Sequence, residues 1–395
     1  MLSRLIARHF RNFDALDLSV PPEGLVIVGE NGQGKTNLLE AVAFLSLLRS
    51  MRGARDVDLI RFGAPALHVR AELAAPTVVH GVSVGFERAT RRKKVALDGV
   101  EPPRLSDALG ALPSVSFSPA DVALVAGTPG DRRRFLDVTL ALTSPAYLHA
   151  LQRFRAALLR RNALLKQAQR LGARADSMAD EVALWEPVLA EQGAVVAALR
   201  LAFVRHEADR FAMLAAAMGE RQAVTMRYTV TGLGTGPGAG PTAPSATGEG
   251  AGASTATGEA MAAEFRERYS AALAHQRPQE LRRGVTLVGP HRDELALLLG
   301  ARELRTFGSA GQQRSAAIAL RLLELSAVRR TIGGAPLLLL DDPFAELDLG
   351  RAARVLGLLE EAGVEQVLLA VPRLEDIPAA FTRLTRATMR DGVLS

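Results

Sequence analysis

The 395-residue chain contains no cysteine. That excludes disulfides, thiolate zinc sites and cysteine nucleophiles together. Lysine is nearly as scarce. Lys35, Lys93, Lys94 and Lys166 are the only four, so 44 of the 48 basic residues are arginine. The formal charge of +6 is a weak pointer to a polyanionic partner, because an arginine and alanine bias of this kind also arises from GC-rich coding. No apolar run reaches the length of about 18 residues that a membrane span needs. The opening string MLSRLIARHF has no long apolar stretch followed by a cleavage site. No membrane association and a cytoplasmic location are the expectations. Apolar residues at 48% and charged residues at 23% describe a globular chain, not a disordered one. The length predicts two or three domains.

Strands and turns fill the first 30 positions. Leu16, Leu18 and Val20 alternate with polar residues, and Leu25 to Val28 reads as a buried strand followed by a glycine-rich turn and a helix from Thr36 to about Arg49. Residues 66–98 predict two or three strands, with VSVGFERATRRKKVALDG as a hairpin carrying a basic tip. From about Arg132 to Met218 the spacing is helical. One segment opens at Pro145 and another runs from about Asp180. At 1.5 Å per residue they reach about 40 to 60 Å, a short arm and not a long coiled coil. Between Gly232 and Gly258, every residue except Leu233 and Glu249 is Gly, Pro, Ala, Ser or Thr. That composition predicts a disordered insertion at 232–258. A helix over Ala260–His275 follows. Strands over Val285–Val288, Leu295–Leu299, Pro336–Asp341 and Gln366–Val371 alternate with helices over Gln312–Arg330 and Arg351–Ala362. Such alternation predicts an α/β sheet.

GENGQGKT at 29–36 fits G-x-x-x-x-G-K-[ST] between an apolar strand and an apolar-faced helix. Gly29, Gly32 and Gly34 allow sharp turns that point backbone N–H groups at an anion, so the loop Gly29, Glu30, Asn31, Gly32, Gln33, Gly34 is a phosphate cradle. Lys35 would reach the β- and γ-phosphates, and Thr36 would place its hydroxyl on Mg²⁺. PLLLLDDPF at 336–344 supplies the acidic partner strand. Two aspartates at its end are costly to bury without a cation or hydrogen bonds. Asp341 is the metal-side acid, and Asp342 is placed to orient or deprotonate the attacking water. GSAGQQR at 308–314 stands at the head of a helix. Ser309 can cap that helix, and Gly311 permits close backbone approach.

A P-loop followed by a serine–glycine–glutamine signature and an LLLLDD strand resembles the ABC-type ATPases. The resemblance makes Ser309, Gly311, Gln312 and Gln313 the signature, and AELD at 345–348 the D-loop with Asp348. The long separation of Lys35 from Ser309, filled by helices, is similar to the SMC and Rad50-like group. HFRNF at 9–13, GENGQGKT, FSPADVALVAGTPGDRRRFLD at 117–137, VGPHRDE at 288–294 and the paired aspartates resemble the RecF family.

The resemblance implies a fold and a role. The fold is an α/β, ABC-type (SMC/Rad50-like) P-loop ATPase head with an inserted helical arm. The N-terminal lobe would span 1–131, the arm 132–222 and the C-terminal lobe 223–395. ATP and Mg²⁺ are the implied cofactors, with ATP sandwiched in a homodimer where the signature acts in trans. The implied role is ATP-dependent binding to double-stranded and gapped DNA with slow hydrolysis. The protein would work with RecO and RecR to help load RecA, and would support the SOS response. A transporter ATPase subunit and a short SMC-like clamp are the alternatives.

Arg11 and Asn12 near the P-loop are candidate ATP contacts. Arg91, Arg92, Lys93 and Lys94 at the hairpin tip, and Arg133 at a helix start, are candidate DNA contacts. HRD at 291–293 lacks the Asn a kinase loop needs, since Leu298 stands there. It reads as a polar turn between strands, or, under the resemblance, as a lining of the nucleotide or DNA surface. Two departures from the ABC pattern remain. The strand QVLLAV runs into Pro372 and Arg373 with no switch histidine, and the Q-loop is readable only as the region of Ser118 to Asp121.

Overall fold

The computed structural model describes residues 1–74, 80–232, 251–345 and 347–395. The chain forms two compact units. One comprises Met1–Val122, Leu214–Arg221 and Ser309–Ser395, the other Ala123–Met213 and Gln222–Gly308. The strands in chain order are β1 (Leu2–Phe10), β2 (Phe13–Ser19), β3 (Gly24–Val28), β4 (Ala66–Leu73), β5 (Gly81–Glu87), β6 (Lys93–Leu97) and β7 (Ser114–Phe117). They continue with β8 (Val224–Thr229), β9 (Glu294–Leu299), β10 (Arg302–Glu303), β11 (Leu337–Asp341), β12 (Val367–Val371), β13 (Thr385–Arg390) and β14 (Val393–Leu394).

The first unit holds two sheets. One is antiparallel in the order β2-β1-β4-β5-β6, and the other runs β14-β13-β3-β12-β11-β7. Within the second sheet, β13, β3, β12, β11 and β7 are parallel. Its central strands are solid apolar runs. Leu338, Leu340, Leu368, Leu369, Val26 and Ile27 are all fully buried, as strands covered on both faces must be. The helix Lys35–Leu47 touches strands of both sheets. It is buried on nearly every side from Leu38 to Ser46, which explains its lack of an amphipathic stripe. That helix is why the P-loop sits where it does. The same segment that leaves β3 is the core filling of the unit.

The second unit combines the helices Pro129–Thr143, Pro145–Leu171 and Ala251–Arg283, most of Glu186–Ala217, and the small sheet β10-β9-β8. Its described interior holds buried polar networks, among them two centred on arginines. Arg161, fully buried, pairs with Glu186 at 2.9 Å and Glu280 at 2.7 Å and donates to Thr286 Oγ1. Arg200 pairs with Asp137 at 2.6 Å and donates to Tyr147 Oη, Tyr228 Oη and the Pro290 carbonyl. Asp293 accepts from Tyr228 Oη at 2.6 Å and from the Thr231 amide at 2.8 Å. The HRD turn therefore supplies a buried acid to this network; Asp293 does not line a surface.

Several boundaries differ from the sequence expectations. Residues 285–288 are irregular, not a strand. The helix expected from about Asp180 is split into Ala179–Ala183 and Glu186–Ala217, with Pro187 in the first turn of the second. The disordered insertion expected at 232–258 falls outside the described residues over 233–250, and its last part, from Ala251, is the start of the helix Ala251–Arg283. The helix Glu186–Ala217 is long and apolar enough by composition to cross a membrane, but 61% of its most apolar window is buried within the protein.

Burial pushes the Asp293 carboxyl up to about 6, against the hydrogen bonds from Tyr228 and Thr231 and the charge of Arg200. Between about pH 4 and pH 6 the folded chain thus holds a proton that the unfolded chain has released. The stability from this group is present below about pH 4 and declines as pH rises to about 6, by about 3 kcal/mol in all. Asp293→Asn removes that slope, so urea unfolding of wild type and variant at pH 4.5 and pH 7 is expected to show a pH difference smaller in the variant by about 2 kcal/mol, the part of the loss that falls between those two pH values.

Candidate nucleotide site

Strand β3 ends at Val28, and the chain turns through Gly29–Gly34 into the helix at Lys35. Gly32 and Gly34 have φ of +87° and +113°, the region in which side chains are strained. At Gly34 a Cβ would also lie 2.5 Å from Asn12 Nδ2. No side chain caps this helix, so its first amides are left for an anion. Lys35 is almost fully buried, and its ammonium donates to the carbonyls of Gly29 and Glu30. Burial pulls its pKa down, while Asp341 and Asp342 oppose that shift.

Thr36 Oγ1 lies 3.0 and 2.9 Å from the two carboxylate oxygens of Asp341 and donates to them. Burial raises the Asp341 pKa, against the Thr36 hydrogen bond and the Lys35 charge. Asp342 follows in the left-handed region at φ 47°, with its amide donating to Ala370 on β12. A hydroxyl and a carboxylate in contact form a hard oxygen set that suits Mg²⁺. Lys35, Thr36, Asp341 and Asp342 are thus brought together from two distant stretches of chain.

The other loop candidates brace the loop. Asn12 donates to the Gln33 carbonyl at 3.1 Å and accepts from Asn37 at 2.8 Å. Gln33 also receives the amides of Asp391 and Gly392 from the β13–β14 turn. Arg11, read as a candidate ATP contact, forms a two-pronged pair with the buried Glu40, which also receives Ser50 Oγ. Glu30 and Asn31 are exposed at the loop's rim.

The signature stands at a second helix start. Ser309 Oγ accepts from the Gln312 amide, and Gln312 Oε1 accepts from the Ser309 amide, a capping box at the head of Ala310–Ile332. Capping uses an acceptor of the hydroxyl and leaves its proton for a ligand. Gly311 packs against Arg351, where a Cβ would come within 3.2 Å of the guanidinium. Asp348 caps the helix Leu349–Glu361 by accepting from the Arg351 amide; Glu346 of the D-loop string lies outside the described residues. Asp121, in the stretch read as the Q-loop region, pairs with Arg321 of the signature helix at 2.6 Å.

Sequence reasoning missed Arg351. Its Nη1 donates to the Gly311 carbonyl, Ser315 Oγ and Glu220 at 2.7–2.9 Å, and its Nε lies 3.3 Å from Asp348. One guanidinium ties signature, D-loop and Glu220 together. The i,i+3 spacing from Asp348 was the only signal available.

Two of the candidate DNA contacts, Lys93 and Arg133, have partners within the fold. Lys93 begins β6, pairs with Asp56 at 2.7 Å and donates to the Leu48 carbonyl. Arg133 donates to the Asp293 carbonyl at 2.8 Å. Arg91, Arg92 and Lys94 are exposed.

A P-loop and acidic strand on a parallel sheet, with a signature helix and D-loop behind, define an ABC-type P-loop ATPase head. The family model for the RecF/RecN/SMC N terminal domain matches residues 1–394. The chain is 36% identical over 366 residues to the DNA replication and repair protein RecF of Halalkalibacterium halodurans, covering 91% of this chain and 90% of that protein. A solved structure described as the recombination mediator protein RecF-ATP in RecFOR pathway matches with a TM-score of 0.82 and 25% identity, over 100% of this chain and 96% of that one. An SmcHead bound to the C-winged helix domain of ScpA shares the fold at a TM-score of 0.51 and 16% identity, over 100% of this chain and 96% of that one. The chain belongs to the RecF family.

Arg351→Ala strands the buried Glu220 carboxylate, and loss of one partner of a buried pair costs about 3 kcal/mol or more. Urea unfolding is expected to show that loss, and Glu220→Gln in the same chain to recover most of it. Affinity for Mg·ATP, measured by calorimetry, is expected to stay within about twofold, because no contact joins Arg351 to Lys35, Thr36 or Asp341 among the described residues.

Proposed function

We propose that this protein is an ATP-driven DNA-binding switch of recombinational repair and replication-fork maintenance. The observation that carries the proposal is the division of the site. Lys35, Thr36, Asp341 and Asp342 form one half around the triphosphate, while Ser309 stands exposed at a separate helix start with a hydroxyl proton to donate. Two copies close the site, each presenting its signature residues Ser309, Gly311, Gln312 and Gln313 to the nucleotide held by its partner. Thr36 and Asp341 would hold Mg²⁺, which neutralises charge on the transferring phosphoryl group. Lys35 lies beside the same phosphates. Asp342 orients and deprotonates the attacking water.

The closed dimer is the form that holds double-stranded and gapped DNA, and slow, DNA-stimulated hydrolysis releases it. The relative described in the RecFOR pathway supports RecO and RecR as partners, and with them a role in loading RecA and in the SOS response. No switch histidine follows β12. Its place is taken by Pro372 and Arg373, whose guanidinium pairs with Glu375 at 3.1 Å. The water is therefore positioned chiefly by Asp342, which fits a slow ATPase.

Lys35→Met is expected to abolish ATP binding, read by a fluorescent nucleotide. Asp342→Asn is expected to keep binding but cut turnover by at least about 100-fold and trap the dimer on DNA, read by light scattering with Mg·ATP and gapped duplex. Unchanged turnover in Asp342→Asn removes the residue from its assigned role. A wild-type chain that stays monomeric with ATP and DNA saturating removes the switch.

A further inference from the structure

The five-stranded sheet buries one face against the helix Lys35–Leu47 and turns the other to solvent. Alternation separates the two. Leu5, Ala7, Val69, Ala71, Val82, Val84 and Val95 point inward. On the outer face the registers align side chains into lateral rows. Arg8 lies opposite His68, His68 opposite Gly85, and Gly85 opposite Lys94. The next row carries Ile6, Arg70, Ser83 and Ala96. With neighbouring strands about 4.8 Å apart, each row spans about 14 Å from β1 to β6.

Two properties of this face stand out. Its floor is low: Gly85, Ser83 and Ala96 raise nothing tall along β5 and β6, so an extended backbone can lie close to the sheet. Its rim carries the cations Arg8, Arg70 and Lys94. Arg8 faces His68 directly. Partial burial, with the charges of Arg70 and Arg8, holds His68 below the usual histidine range. Carboxylates on or beside the face leave part of this charge uncompensated. Asp17 holds Arg4 at 2.6 Å, Glu72 lies 3.4 Å from Arg70, and Glu101 reaches only 3.5 Å from Lys94. The Arg8 guanidinium makes no hydrogen bond or ion pair among the described residues, although its charge acts on Asp17 of β2. Lys94 ends the row at the edge strand β6, and along the chain just before it the hairpin tip exposes Arg91 and Arg92, the latter across from the exposed Glu87 of β5.

We propose that this outer sheet face is a docking surface for the sugar–phosphate backbone of duplex DNA, with Arg8 and Lys94 gripping phosphates on either side of the Gly85 floor and Arg91 and Arg92 extending the track. The proposal rests on the DNA-binding role put forward above and assigns it a location. A track of cations over a smooth floor recognises phosphate spacing and no base edges, so it binds without sequence preference. Its affinity falls with salt in proportion to the phosphates neutralised.

The test is the double variant Arg8→Ala/Lys94→Ala in the full chain with Mg·ATP, titrated against a labelled duplex over a series of KCl concentrations. Affinity is expected to fall at least about tenfold, and the slope of log affinity against log salt to become shallower by about 1.8, two phosphates at about 0.9 each. ATP binding and the thermal midpoint stay at the wild-type values. Arg4→Ala, whose guanidinium is already neutralised, changes affinity by less than about twofold. Wild-type affinity and slope in the double variant overturn the location while leaving the DNA-binding role standing. So does a double variant that keeps DNA but loses capture of RecR, which gives the face to a protein partner. A wild-type chain that binds no duplex overturns the role and the location together.

Discussion

The contact on which the nucleotide site depends is between a hydroxyl and a carboxylate from opposite ends of the chain. Thr36 opens the helix after the P-loop, Asp341 closes a strand 305 positions later, and their side chains meet at about 3 Å. Neither group is comfortable there. Asp341 is mostly withdrawn from water, and burial disfavours its charged form. Lys35 beside it is shifted the opposite way for the same reason. Each shift is a free energy held against the fold and returned when the other's charge, or a ligand's, is nearby. A divalent cation and a polyphosphate are the ligands that relieve both. The parallel sheet makes the contact possible, since β3 and β12 pair in register and β12 pairs with β11, setting the P-loop and the acidic strand end at the same edge.

The two units reach stability by different means. In the first, a helix filled with Leu, Val, Ala and Phe lies between two sheets, and burial of apolar surface does most to hold the unit folded. In the second, Arg161 and Arg200 sit at the centres of buried networks that close only if every partner is present. Buried ion pairs add little net stability over an apolar core of equal shape, but breaking one is expensive. Such networks fix which side chain faces which. They hold the HRD turn, through Asp293, to Tyr228 and Thr231 with an accuracy that apolar packing of the same residues would not impose.

Much of the first unit was legible in the sequence. The P-loop, the LLLLDD strand and the signature carry their geometry in short strings. Glycine at left-handed φ, a serine cap and a run of leucines each have one physical reading. The helix boundaries of the second unit were less legible, because proline position and tertiary contacts decide them. Pro187 split one helix, while Pro278 lies inside another without ending it. Arg11 and Lys93 show the limit of local reasoning about charge. Both stand in strings that look solvent-facing, and both turn inward to carboxylates distant in sequence, Glu40 and Asp56. No periodicity reports which of 44 arginines will find a partner. Register does, and register becomes visible only once strands are paired. The row Arg8, His68, Gly85, Lys94 is scattered over four segments until β1, β4, β5 and β6 lie side by side.

Arg351 gives the proposed dimer a further constraint. The signature and the D-loop are the two elements that would face a partner's nucleotide, and in one protomer they share this guanidinium. Glu220, just beyond the end of the helix Glu186–Ala217, completes the cluster. A planar cation with several donors bridges these groups where a lysine could not satisfy them all at fixed geometry. Displacing one element strains its bonds to the others, so the signature and D-loop behave as one body. In the proposed dimer, a partner's phosphate that drew Ser309 forward would therefore also load the Glu220 contact. The coupling needs no rearrangement of the core. It needs only that the buried Glu220 carboxylate keep its cation, which the cost of leaving it unpaired enforces.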